Sequence, residues 1–302
     1  NYKSSIKDDV GLWLINMSFA YSKKPSFRNE NPFSVIESVS ARLIVFPTPD
    51  KVYVSGSCFR IAKNLYVTAR HVITDYLDRF GVIDGVASFE IWAVHIKKGP
   101  DYSVWVVDRL WICPLSDLAV LHTKPYNDVA AKDSDLICVG LELRPPNVAE
   151  RIVGFGHHSP TGQIRYGENG TRHIEVNAFG AVTVGEVREV HHEKRDSARL
   201  AFPCYQVNTR FDGGMSGGPV LSDRGKVCGV ICSNLPPDKG ESEHVSYVAT
   251  LWPLMATMIN IDTSGREVET PYPLIELARK GIIAADGWEK VSIQGIYEKG
   301  DL

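Results

Sequence analysis

Apolar and polar positions along this chain change over in short runs bounded by turn-forming residues, not in long amphipathic periods. Residues 41–46 are apolar except for Arg42 and stop at Pro47, residues 52–61 alternate imperfectly around Gly56, and residues 64–68 form a short apolar run. Residues 87–96 and 103–112 are rich in β-branched and aromatic side chains, and residues 117–123 close the series. Such side chains suit a half-buried pleated surface. Short strands with turn signals at regular spacing predict an all-β antiparallel barrel or sandwich. Only residues 69–76 have a helical look here, as a single turn. The polar stretch 124–135, with Pro125, Asn127, Asp128, Asp133 and Asp135, reads as a linker. A second strand series follows at 136–143, 151–155, 173–179, 181–190, 201–209, 219–221, 227–232 and 245–250. Residues 156–171 and 191–199 read as exposed loops between these strands, and the pairs His157-His158 and His191-His192 as loop residues. Residues 252–259 predict a helix against the end of the second series.

The two ends follow neither series. Residues 1–33 mix Trp13, Leu14, Phe19 and Tyr21 with polar residues and form an N-terminal arm that holds no long apolar core. Residues 273–280 predict a short helix, with Pro273 at its start and Gly281 after its end. Residues 282–302 show no pattern, and two readings stand: a structural brace, or a tail that docks or regulates.

Composition narrows the function classes. The chain has 302 residues, 44% of them hydrophobic and 23% charged, enough for a sizeable core. A net charge of −3 gives no basic excess for nucleic acid. No apolar run reaches the roughly 18–20 residues that span a bilayer. Six cysteines are present, but no further Cys/His pair stands at zinc-site spacing beside Cys228 and Cys232, so no metal is expected.

The candidate chemistry sits in Phe-Asp-Gly-Gly-Met-Ser-Gly-Gly-Pro-Val-Leu, residues 211–221, where one serine stands among four glycines. Glycines allow close backbone approach and positive φ, and the N–H groups of such a turn can face a developing oxyanion. Alone, this is equally a tight turn between strands. Two other stretches change that: Tyr-Val-Thr-Ala-Arg-His-Val at 66–72 puts His71 after a strand-like run, and Leu-Ser-Asp-Leu-Ala-Val-Leu at 115–121 puts Asp117 at the head of another. In sequence order these are a histidine, an aspartate and a serine, 46 and 99 residues apart. That order separates the chymotrypsin-like arrangement from those of subtilisin and the α/β-hydrolases.

With Thr68-Ala69-Arg70-His71, Asp117-Leu118-Ala119-Val120-Leu121 and Gly214-Met215-Ser216-Gly217-Gly218-Pro219, the chain resembles the chymotrypsin/trypsin-like serine peptidases over about residues 34–260. The resemblance implies two six-stranded antiparallel β-barrels, at about 40–123 and 135–250, with a C-terminal helix, flanked by the arm 1–33 and an extension 261–302. It implies a serine endopeptidase without cofactor, acting on a protein or peptide substrate. Ser216 would be the nucleophile, His71 its base and Asp117 the carboxylate that orients the histidine. The N–H groups of Gly214 and Ser216 would form the oxyanion hole, where one donor is worth about 3 kcal/mol.

By the same resemblance, the floor of the primary specificity pocket lies six residues before the nucleophile, at Arg210, with Cys232, Ser233 and Asn234 as its wall. A basic floor implies an acidic residue before the scissile bond; the alternatives are that Arg210 pairs with Asp212 or points outward. Secreted relatives carry a disulfide beside the histidine, but here Val72 follows His71, so the cysteines are expected to be mostly reduced core residues and the compartment cytoplasmic. Secreted relatives are also switched on when a freed N-terminus pairs with an aspartate before the nucleophile. Met215 stands in that place, so control is expected from a regulatory protein partner, the arm or the tail. The rival reading is a protease-fold binding module without activity, or a latent protease awaiting a partner. An esterase with the same machinery is chemically open, but nothing in the sequence suggests its pocket.

Overall fold

The run at 41–46, apolar except for Arg42, becomes a strand buried on both faces. In β1 (Ser40–Thr48), Ala41, Leu43 and Val45 point into the main core. Ile44 and Phe46 point the other way, into a second cluster shared with Val52, Trp92, Ile174 and Val176. With neither face in water, the alternation of a strand leaves no polar signature.

The computed structural model describes residues 11–13, 38–83, 86–87, 89–96, 102–132, 136–167, 172–235, 245–262 and 265–292. The first barrel comprises β1, β2 (Lys51–Ala62), β3 (Leu65–Ala69), β4 (Glu90–Ile96), β5 (Tyr102–Ile112) and β6 (Leu118–Pro125). It closes in the order β1-β2-β3-β6-β5-β4. Between β3 and β4 runs helix α1 (Arg70–Phe80), three turns where the sequence suggests one. After β6, Asn127 caps the short helix α2 (Asp128–Ala131) by accepting the Ala130 N–H at 2.9 Å.

The second barrel follows β7 (Leu141–Glu142). Its strands are β8 (Arg151–Tyr166), β9 (Arg172–His191), β10 (Cys204–Val207), β11 (Pro219–Ser222), β12 (Val227–Leu235) and β13 (Val245–Thr250). They run in the ring β11-β8-β9-β10-β13-β12, and antiparallel pairing of β11 with β12 closes it. The fold is thus two closed six-stranded antiparallel barrels.

Three sequence expectations are corrected here. Residues 156–166 are not a loop: β8 pairs with β9 from Arg151↔Glu186 out to Tyr166↔Arg172, with a bulge between His158 and Thr161. Ile164, Ile174 and Val176 of this ribbon pack against the outside of the first barrel. Within 156–166 Ile164 is the one branched aliphatic side chain among Gly, His, Ser, Pro, Thr, Gln, Arg and Tyr residues, which is why hydropathy alone suggests a loop. His157, His158 and His191 are strand residues, not loop residues, and His157 is fully buried. The helix expected over 252–259 is a 3-10 turn, Trp252–Ala256, followed by strand β14 (Met258–Ile261) against β15 (Glu267–Pro273). Thr257 is extended and its carbonyl accepts the Leu274 N–H at 2.9 Å, so the chain leaves the helical path there.

The ends add to this body. Residues 11–13 form a strand parallel to β9 at His173–Glu175; the rest of the arm lies outside the described residues. Helix α3 (Ile275–Arg279) forms within the predicted stretch, followed by Gly281 at φ 69°. Ala285–Asp286 then pairs in parallel with β7. Residues 293–302 lie outside the described residues.

Candidate active site

Backbone contacts between the barrels build the serine turn. The Ser57 N–H of β2 donates to the Ser216 carbonyl at 2.8 Å, and the Gly217 N–H donates to Ile231 O of β12 at 2.8 Å. Gly214 (φ 95°) and Gly217 (φ 84°) occupy left-handed conformations that only glycine adopts cheaply. A Cβ on Gly217 would stand 2.1 Å from Ser57 O and 2.2 Å from Thr68 Oγ1. The preceding Met215 is fully buried in the core of the second barrel, beside Ile152, Phe211 and Val220. An apolar anchor therefore holds the turn where secreted relatives use a charged one.

His71 is the second residue of α1, directly after β3. Asp117 immediately precedes β6, and β3 and β6 pair as neighbours. That pairing brings the two side chains together: His71 Nδ1 stands 2.7 Å from Asp117 Oδ2. The His71 N–H donates to Asp117 Oδ1 at 2.9 Å, and the Arg70 N–H donates to Asp117 O at 3.0 Å. Burial pulls the imidazole down, but the hydrogen bond and charge of Asp117, with the charge of Asp75, outweigh it. The net effect holds His71 above its ordinary value although the Arg70 charge opposes it.

The Ser216 hydroxyl has a different acceptor at rest, Cys232 O, at 3.5 Å. No hydrogen bond joins Ser216 Oγ to the His71 ring among the described residues. A contact of 3.5 Å is weak, and such bonds often tighten only when substrate binds. The N–H groups of Gly214 and Ser216 donate to no protein acceptor among the described residues.

Arg210 is exposed, and its Nε pairs with Asp212 Oδ1 at 2.6 Å. Cys232 and Ser233 line a cleft of about 290 Å³ together with His71 and Asp117. Asn234 continues β12 beside Ser246, and its side chain lies outside what the structure describes. Among the described residues, no cluster of three or more His, Cys, Asp or Glu side chains could hold a metal ion.

Ser57 is a residue that the sequence does not single out. Its hydroxyl donates to Gly214 O at 3.1 Å and accepts the His157 N–H at 3.0 Å, and its carbonyl accepts from Thr68 Oγ1 at 2.8 Å. It therefore ties both barrels to the candidate oxyanion turn. The only trace in the sequence is the interruption of a strand by Ser55-Gly56-Ser57.

Known proteins resemble this chain to different degrees. Among solved structures, the Rv3671c protease of M. tuberculosis in its active form is similar at 16% identity and a TM-score of 0.49, over 86% of this chain and 92% of that one. Its inactive form is similar at 17% identity and a TM-score of 0.42, over 78% and 93%. No curated protein matches the chain. The family model of the trypsin-like peptidase domain matches residues 56–230, more than half of the chain, and the chain belongs to that family.

Proposed function

We propose that this trypsin-like peptidase is a serine endopeptidase that hydrolyses peptide bonds with Ser216, His71 and Asp117. The observation that carries the reading is the 2.7 Å contact of His71 Nδ1 with Asp117, which leaves Nε2 as the nitrogen that can serve the serine. In the proposed sequence His71 accepts the Ser216 proton as Oγ attacks the carbonyl carbon, and Asp117 stabilises the imidazolium. The N–H groups of Gly214 and Ser216 receive the oxyanion. His71 then returns the proton to the leaving amine, and water repeats the cycle on the acyl-enzyme. No cofactor enters these steps.

An acidic residue directly before the scissile bond is the finer part of the proposal, and it rests on Arg210. A substrate carboxylate would have to displace Asp212 from that side chain. An exposed pair of this kind is worth only about 0–1 kcal/mol, so the exchange is feasible. An Arg210→Glu variant with unchanged preference at that position would remove Arg210 from the pocket.

The rest position of the Ser216 hydroxyl toward Cys232 O favours a second reading, a latent or silent protease fold that a protein partner completes. Fluorophosphonate separates the two, because only an activated serine is labelled. Cleavage of a peptide library by the wild type, with cuts absent for Ser216→Ala, is the result expected of the peptidase. The substrate is a protein or peptide, with no nucleic acid or membrane as partner. No helix among the described residues is long and apolar enough to cross a membrane. A cytoplasmic, reducing location is supported by the six unpaired cysteines, five of them buried. Six free thiols under denaturing conditions are expected; fewer would count against it.

A further inference from the structure

Two guanidinium groups beside His71 have no partner among the described residues. The cleft of about 290 Å³ that abuts the site is lined by His71, Asp117 and Ser233, and by Arg70, Arg195 and Arg199. Ser216, Gly214 and Arg210 are not part of its wall. A second, larger cleft of about 630 Å³ shares Arg70, Arg199 and Phe202 with it, so the two arginines stand where the clefts meet.

The charges around this junction are unequally spoken for. Asp117 is engaged by His71. Arg195 pairs with Asp196 at 3.1 Å and lies over the Tyr247 ring at 4.7 Å. Arg70 and Arg199 make no side-chain hydrogen bond or ion pair among the described residues. Glu193 is the acidic residue in the wall of the larger cleft and does not line the smaller one. The loop that carries Arg199 is held in shape: Asp196 Oδ1 accepts the N–H groups of Ala198, Arg199 and Leu200 at 2.8, 2.7 and 3.1 Å. A guanidinium on an ordered loop, lining the same cleft as a second one, is suited to a planar anion.

We propose that Arg70 and Arg199 form a subsite for a carboxylate side chain of the peptide substrate, at a position other than the residue directly before the scissile bond. This rests on the peptidase reading for its meaning, but the site itself does not need the chemistry. Asp or Glu in the substrate would place its carboxylate between the two arginines while the main chain runs past His71 and Ser233. A phosphorylated side chain offers the same anionic chemistry, so the test must separate it from a carboxylate.

The test uses the full chain with Ser216→Ala and measures binding of short fluorescent peptides carrying Glu, Gln, Lys or phosphoserine at each position in turn. Expected is tighter binding of Glu than of Lys by about tenfold at one position, a size usual for a charge-assisted contact. That gain should vanish or invert with Arg199→Glu and fade near about 1 M salt, where the Debye length is about 3 Å. Arg210→Glu should leave it in place. A flat profile, or one that Arg199→Glu does not alter, overturns the proposal. A gain confined to phosphoserine overturns the carboxylate assignment in favour of a phosphate. If the wild type neither cuts nor takes fluorophosphonate while the Glu preference persists, the subsite stands and only the peptidase reading falls.

Discussion

At the scale of the residue, the histidine sets the pH behaviour. His71 is held above its ordinary value near 6.5, and a base must be neutral to accept a proton. The acid limb of kcat/KM is therefore expected above pH 6.5, and the stabilising effect of the protonated pair runs the other way. A raised folded value adds stability that is complete below the unfolded value and is lost as pH rises through the folded one, so activity appears over the window where that contribution fades. Asp117→Asn removes the charge and charge-assisted hydrogen bond that raise His71 most, and leaves burial, the largest influence and a lowering one, together with the smaller opposed charges of Arg70 and Asp75. The acid limb should move below pH 6.5 while kcat falls by about 10⁴-fold; a limb that stays in place would take Asp117 out of the role. Ser57→Ala is a different kind of test. It strips a partner from Gly214 O and from the buried His157 N–H, and unpaired buried groups cost about 1–3 kcal/mol. A urea melt should show that loss. In kinetics kcat should fall more than KM rises, because Ser57 holds the turn that carries the proposed oxyanion donors, which act on the transition state and not the ground state. A loss of stability with kcat unchanged would make Ser57 a structural residue only.

At the scale of the element, one loop and one ribbon show what a sequence reveals. The loop after β9 has almost no apolar residue between His191 and Arg199 and lies outside regular structure, as its composition suggests. Its order comes from Asp196, whose carboxyl is held down at about 2 by three backbone N–H donors. That contribution is present above the ordinary value of 3.8 and is lost only as pH falls toward 2, so the loop stays formed through the neutral range. Asp196→Ala should loosen it, raising KM for acidic peptides several-fold with kcat nearly unchanged; an equal loss for neutral peptides would instead mean general damage. The stretches around His71, Asp117 and Ser216 stand out because each couples a strand end to one polar residue, a local signal that survives in sequence. The β8–β9 ribbon does not, because few of the residues at 156–166 are apolar and those that pack do so on the other barrel, more than 50 positions away in sequence. His157 is illegible because its partner Ser57 stands 100 positions away in sequence. Ser57 shows only as part of the interruption Ser55-Gly56-Ser57, which carries no mark of the turn its hydroxyl serves.

At the scale of the whole molecule, the question is whether residues 265–292 are an appendage or part of the protease body. Their apolar residues do not form a core of their own. Leu274, Ile275, Leu277 and Ile283 are at most 2% exposed and belong to the cluster that also holds Val67, Leu118 and Leu141. Main-chain bonds add to this: the Leu141 N–H donates to Ala284 O at 2.7 Å and the Leu143 N–H to Asp286 O at 3.1 Å. Fully burying one such side chain is worth about 1.5–3 kcal/mol, so these four together contribute on the order of 6–12 kcal/mol. The net stability of a domain is only about 5–15 kcal/mol. A chain ended at residue 262 should therefore be insoluble, or melt tens of degrees lower, while one ended at residue 292 should keep its midpoint. The pair of truncations also tests the tail as a regulator. Ending the chain at residue 292 leaves these four side chains and their strand pairing in place, so a change in rate without a change in midpoint would assign control to residues 293–302. An unchanged midpoint in the chain ended at residue 262 would make the extension a separate unit, and the shared core would then have to hold without its four buried residues.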